Sequence, residues 1–176
     1  MNKYLFLILI FIVTDAYGQK ENLVLTKEEN NRWFEKLKNE QSLIKRVNFI
    51  NQRLNNDYKV YISVGLPDGI SVKDVPVLDS LRKNRIKGYC KPLYILKYKS
   101  KILPFIFVNQ IKYDKIEFVI KHLTNQNINN VEIWTDTRKI IYGGSGNCGV
   151  VLLETESKII FNKFEKMNLP VSYYVY

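Results

Sequence analysis

Residues 140–155 read Ile-Ile-Tyr-Gly-Gly-Ser-Gly-Asn-Cys-Gly-Val-Val-Leu-Leu-Glu-Thr, and four of the chain's eight glycines fall between Gly143 and Gly149. Gly144-x-Gly146-x-x-Gly149 matches the letters of the dinucleotide fingerprint. That fingerprint places a pyrophosphate at a helix N-terminus. Here the β-prone run Val150-Val-Leu-Leu153 follows, so the helix and its dipole are missing. No lysine follows as a P-loop would need. Ser145 has Gly143 two places before it but Asn147 two places after it, which breaks the nucleophile-elbow pattern. The glycines therefore read as backbone freedom, letting the chain turn tightly and enter a buried strand. Gly149 is expected where a Cβ would collide with a neighbouring strand or where φ is positive.

Working outward, the other elements read from periodicity. Thr26-Lys27-Glu28-Glu29 is a capping box. Trp33, Leu37, Ile44, Val47 and Leu54 follow near one helical face, so an amphipathic helix is expected to about Asn55, with a break near Asn39–Ser42. Tyr58–Val64 alternates Val60, Ile62 and Val64 as a strand does. Leu66-Pro67-Asp68-Gly69 signals a turn, and Val77–Ile86 is weakly helical. Leu93–Tyr98 and Phe105–Val108 read as strands around a lysine-rich turn. A helix is expected from Asp114 to about Thr124, strands at Val131–Trp134 and Val150–Leu153, a helix capped by Ser157, and a last strand at Val171–Tyr176. Strands and helices mix without a strict βαβ period, so the class is α+β, a small mixed β-sheet flanked by helices.

Tyr142-Gly143, then small and polar residues to Gly149-Val150, then a hydrophobic strand ending at Thr155, resembles the end of the plug domain of TonB-dependent outer-membrane receptors of the Bacteroidetes type. Val131-Glu-Ile-Trp134 stands where that family has an apolar-Glu-apolar strand, and Pro104–Gln110 stands where it has a Pro-apolar-Asp-Gly segment. Asn109-Gln110 departs from the usual Asp-Gly, and Cys148 stands where the family often has Asn. The resemblance covers residues 104–155. It implies a non-catalytic, plug-like binding module, used free-standing and without the barrel.

Length and composition set the bounds. The 176 residues suit one compact domain, and 46% apolar with 13% aromatic residues suffices for a sizeable core. One histidine, His122, and two cysteines, Cys90 and Cys148, are too few for a Cys/His zinc site, so no metal or cofactor is expected. The pair Cys148 and His122 is a weak signal for cysteine catalysis. Lys3 followed by the apolar run Leu5–Val13 and by Ala16-Tyr17-Gly18 is a secretory pattern, with Gln19 as the new N-terminus. Nine apolar residues are too few to span a bilayer, which needs about 20. The organisation expected is a signal peptide at 1–18, an N-terminal helical segment at 19–57 and an α+β plug-like domain at 58–176. In an oxidising compartment Cys90 and Cys148 can form one disulfide, and spacing alone does not decide between a bridge and two buried thiols.

The net charge of +10 is uneven: residues 58–104 hold ten basic and three acidic side chains, and no acid occurs from Ser80 to Lys112. Arg82, Lys83, Arg85, Lys87, Lys91, Lys97, Lys99 and Lys101 carry most of the excess, interleaved with Tyr89, Tyr94 and Tyr98. Such a run can dock on an anionic polymer or lipid surface. It is also the pattern of lysines on the solvent side of strands whose tyrosines line a core. The sequence thus points to a non-enzymatic, exported module of the periplasm or outer membrane with an envelope protein partner, and second to a secreted basic domain that binds an anionic surface. N-terminal sequencing of the exported form should begin at Gln19; recovery of the full-length chain in the cytoplasm would overturn the export reading.

Overall fold

The computed structural model describes residues 23–62, 85–107 and 113–169. The expected turn at Leu66–Gly69 and last strand at Val171–Tyr176 lie outside them. The capping box forms: Thr26 Oγ1 accepts the Glu29 N–H at 3.1 Å, and the Glu29 carboxylate accepts the N–H groups of Thr26 and Leu25 at 2.9 and 2.8 Å. It starts helix α1 (Lys27–Asn39). Glu40 is extended, Ser42 caps the next helix, and α2 runs Leu43–Asp57, so the break falls where the polar run Asn39–Ser42 predicts it. The break also resets the helical phase. Ile44, expected on the inner face, is 53% exposed, while Val47, Ile50 and Leu54 are buried.

A four-stranded mixed sheet forms the centre, built from β3 (Leu93–Tyr98), β4 (Lys101–Phe105), β5 (Asn130–Trp134) and β6 (Val150–Glu154) in the order β4-β3-β6-β5. The middle pair, β3 and β6, is parallel, and both outer pairs are antiparallel. The central strands are buried on both faces, from Leu93 to Leu96 and from Val150 to Leu153, as their unbroken apolar runs require. Beside this sheet, β1 (Val60–Ile62) pairs in parallel with β2 (Ile86–Gly88). Helix α3 (Asp114–His122) precedes β5, and α4 (Lys158–Lys166) follows β6 with Ser157 as its cap.

Two expectations are corrected. The strand placed at Phe105–Val108 is β4 at Lys101–Phe105, so the turn shrinks to Lys99-Ser100. Pro104, which lacks a donor, is tolerated inside β4 because β4 is an edge strand. Of the weak helix placed at Val77–Ile86, Ile86 belongs to β2, opposite Val60, and the rest up to residue 84 lies outside the described residues.

Each face of the four-stranded sheet has its own core. One packs Trp33, Phe34 and Leu37 of α1, Val47, Ile50 and Leu54 of α2, and Phe161 and Phe164 of α4 with Tyr94, Leu96, Val151 and Leu153. The other packs Val60 and Ile62 of β1 with Leu93, Ile95, Val150 and Leu152. Gly149, at the entry to β6, meets the first of them. Its φ is +96°, and a Cβ there would overlap the ring of Phe34 from α1. Its carbonyl also accepts the N–H of Leu93 at 3.0 Å, extending the β3–β6 ladder. The expected collision is thus real, although the neighbour is a helix side chain rather than a strand.

Gly149→Val combines a left-handed backbone with an overpacked ring, each costing roughly 1–3 kcal/mol. At Gly144 nothing lies within 4 Å of an added Cβ, so Gly144→Ala should be close to neutral. Thermal melts of the two variants test the difference, and a Gly149→Val protein as stable as the parent would refute this packing.

Candidate functional site

The apolar stripe of α2 carries two charged residues inward. Arg53 and Asp57 sit at i and i+4 beside Ile50 and Leu54, and their side chains are only 1% and 4% exposed. Arg53 Nε donates to Asp57 Oδ1 at 2.7 Å. Arg53 Nη2 donates to Asn30 Oδ1 at 3.3 Å and to the Cys90 carbonyl at 3.2 Å. Asn30 Nδ2 in turn donates to the Cys148 carbonyl at 3.0 Å. Cys90 and Cys148 are joined by a disulfide, with their Cα atoms 5.8 Å apart. Lys91, buried beside them, donates from Nζ to the carbonyls of Asp57 and Val60 at 2.5 and 2.7 Å.

Among the described residues, the buried cations Arg53 and Lys91 both lie within electrostatic reach of the buried Asp57 carboxylate. Burial pulls the Lys91 ammonium down to about 7, with Arg85 and Arg53 acting in the same direction and Asp57 opposing. Burial pushes the Asp57 carboxyl up, against the pull of Arg53 and Lys91. The Arg53 guanidinium lies 5.1 Å from the Trp33 ring centre, and its Nη1 is buried with no hydrogen-bond partner. The residues 23–56 also frame a cleft between α1 and α2 of about 320 Å³, lined by Arg32, Trp33, Lys36, Phe49, Gln52 and Arg53 among others. A second cleft, of about 310 Å³, lies by Lys97, Lys99, Asn129 and Glu154.

Among the described residues, the basic run does not assemble as one patch. Arg82 and Lys83 lie outside the described residues. Arg85 is half-buried, with its guanidinium 4.4 Å from the Tyr58 ring centre, and burial lowers its pKa. Lys87 is exposed on β2. Lys91, counted with the anion-binding set from sequence, is buried and already donates to two carbonyls, so it cannot meet a surface. Lys97 pairs with Glu154 at 2.6 Å, and Lys99 and Lys101 are exposed at the β3–β4 turn. The six residues of β3, at about 3.3 Å each, hold residues 85–91 and 97–101 at opposite ends of the strand.

The glycine motif is structural in its contacts. Residues Thr137–Gly146 form a 3-10 segment kinked at Gly143, where φ is +54°. Tyr142 is half-buried and stacks on Trp134 with ring centres 6.3 Å apart. A Cβ at Gly146 would overlap the Lys139 carbonyl, and Val150 is fully buried at the start of β6. A strand follows the glycines, as the sequence indicates, so the loop does not lead into a helix as the dinucleotide fingerprint requires. His122 Nδ1 faces the Phe118 carbonyl at 2.8 Å, and its ring packs on Phe118 and Phe164. Cys148 is in the disulfide, so the two do not form a thiol–imidazole pair.

Sequence reasoning missed Asn30, Arg53 and Asp57. The signal was there for two of them: continuing the stripe Val47–Ile50–Leu54 by three residues lands on Asp57, with Arg53 one turn before it. Among the described residues no group of three His, Cys, Asp or Glu side chains is placed to hold a metal, and no helix is long and apolar enough to cross a membrane. Comparison of the chain with protein-family models, with curated proteins and with solved structures found no match.

The buried lysine has a pH signature. Between about 7 and its ordinary 10.5, Lys91 binds fewer protons folded than unfolded, so its contribution to stability rises with pH through that window. The cost of burying it as a cation is greatest below 7, and the slope approaches about 1.4 kcal/mol per pH unit. Urea unfolding from pH 6 to 9 should show the parent gaining on Lys91→Met as pH rises; a constant difference would overturn the assignment.

Proposed function

We propose that this chain is a non-enzymatic, exported interaction module of the cell envelope with a plug-like fold. The secretory pattern at residues 3–18 and the Cys90–Cys148 bridge support export, because disulfides persist in oxidising compartments. The plug-like reading rests on the Tyr142–Thr155 resemblance and agrees with an α+β sheet entered through Gly149. Gly146 and Gly149 stand in close contacts and lead into a strand rather than a helix, which supports a binding role over nucleotide chemistry.

One observation carries the interaction reading. Ile140 and Ile141, adjacent on the 3-10 segment, are 67% and 74% exposed, an apolar pair set on a loop that the disulfide anchors. Exposed apolar side chains set side by side suit a protein partner. The reading as a binder of anionic polymer or lipid is weaker, because Lys91 is buried and Lys97 is matched by Glu154. A photo-crosslinking residue at position 141, expressed in the envelope, should give a discrete adduct that the same residue at Lys101 does not. Equal labelling at both positions would count against the module. Salt-sensitive retention on anionic vesicles, lost in Lys97→Gln/Lys99→Gln/Lys101→Gln, would favour the surface-binding reading.

A further inference from the structure

The four-stranded sheet has two edges, and they differ in what they offer another chain. At β5 the edge is out of reach. Val131 and Ile133 are 2% and 8% exposed, and Asn130 Oδ1 already accepts the Val131 N–H at 2.9 Å. At β4 the edge is open: Lys101 and Ile102 are exposed, Leu103 and Pro104 are half-buried, and only Phe105 is buried. An open strand edge is a template on which a second chain can pair.

The hydrogen-bond register fixes which groups that edge presents. Leu93 donates to the Gly149 carbonyl, and the Lys97 carbonyl accepts from Thr155, so the odd-numbered residues of β3 turn their backbone groups to β6. Tyr94, Leu96 and Tyr98 therefore turn theirs to β4, bonding with Phe105, Leu103 and Lys101 opposite them. Ile102 and Pro104, the alternate residues of β4, point their backbone groups outward. Proline has no N–H, so the donor missing at Pro104 is missing from the open side, and the β3–β4 ladder stays whole.

A second copy lying antiparallel on this edge could exchange two bonds at Ile102. At Pro104 it would find no donor, and the two-fold axis would repeat that loss. The same pairing would set the Lys101 side chains of the two copies on one diagonal, about 7–8 Å apart. Lys99 stands close by at the turn, and residues 93–105 contain no acid to offset either lysine. We propose that Pro104, together with Lys99 and Lys101, bars the β4 edge from pairing with a second copy of this chain. Part of the basic run thereby has a role that needs no anionic ligand. The inference is independent of the envelope-module reading and of the exposed Ile140–Ile141 pair.

Sedimentation velocity reads the consequence directly. The unaltered protein should show no dimer from micromolar to millimolar concentration. Pro104→Val, which restores the outward donor, should dimerise as concentration rises while keeping the parent's near-ultraviolet circular dichroism. Ile102→Lys on that background should return it to the monomer, and Lys99→Gln/Lys101→Gln should tighten the dimer by about tenfold. Both lysines are exposed, so replacing them in the parent keeps the fold even if Pro104→Val does not. That variant should associate at millimolar concentration and low salt, where the parent stays monomeric. A folded Pro104→Val protein that remains monomeric, or a dimer that Ile102→Lys leaves unchanged, would overturn the proposal. So would a lysine variant that associates no more than the parent, or a parent dimer that Ile102→Lys dissolves.

Discussion

The Arg53–Asp57 pair, buried on the inner side of α2, is the contact on which the remaining packing depends. Removing one partner of such a pair typically costs about 3–5 kcal/mol, because the other charge is left uncompensated in a low-dielectric interior. Here the consequences spread further. Through Asn30 the pair reaches α1, through the Cys90 carbonyl it reaches the segment that starts β3, and through Lys91 it shares carbonyls with the end of α2 and with β1. The Cys90–Cys148 bridge then connects that segment to the glycine turn. Segments far apart in the chain are held by one polar cluster, with an apolar core on either side of the sheet.

That arrangement explains why a helix residue dictates the backbone of a loop. Phe34 occupies the space where a side chain at position 149 would stand, so α1 can pack against the start of β6 only if that position lacks a Cβ. Gly149 is in turn bonded to Leu93, so the register of the central parallel pair and the seating of α1 are set together. The disulfide at the preceding residue ties the turn to the segment before β3. At Gly149 the glycine permits a close approach between backbone and ring, the same physical need that in other proteins brings backbone close to a phosphate.

Charge is distributed less simply than the formal +10 suggests. Part of the excess is inside the molecule, at Arg53 and Lys91, part is matched by acids at Lys97 and Arg138, and part stays in solvent at Lys87, Lys99 and Lys101. A basic run read along the chain therefore overstates the basic surface that a partner would meet. The buried share matters for a different reason, since it holds α2, β1 and the segment before β3 together.

Much of the fold was legible in the residues alone. The capping box at Thr26, the break at Asn39–Ser42, the apolar runs of β3 and β6 and the cap at Ser157 act over a few neighbouring positions, so local chemistry was enough to find them. The α+β class followed from their order. Tertiary structure decided the rest. It turned Ile44 outward by restarting the helical phase, made β4 an edge that tolerates Pro104, paired Cys90 with Cys148, and drew Lys91 out of the basic surface. It also chose Arg53 and Asp57 as core residues, although their letters read as solvated charge. These outcomes depend on which segments the parallel pairing of β3 with β6 brings together across more than fifty residues, and burial there is set by neighbours in space that no local pattern encodes.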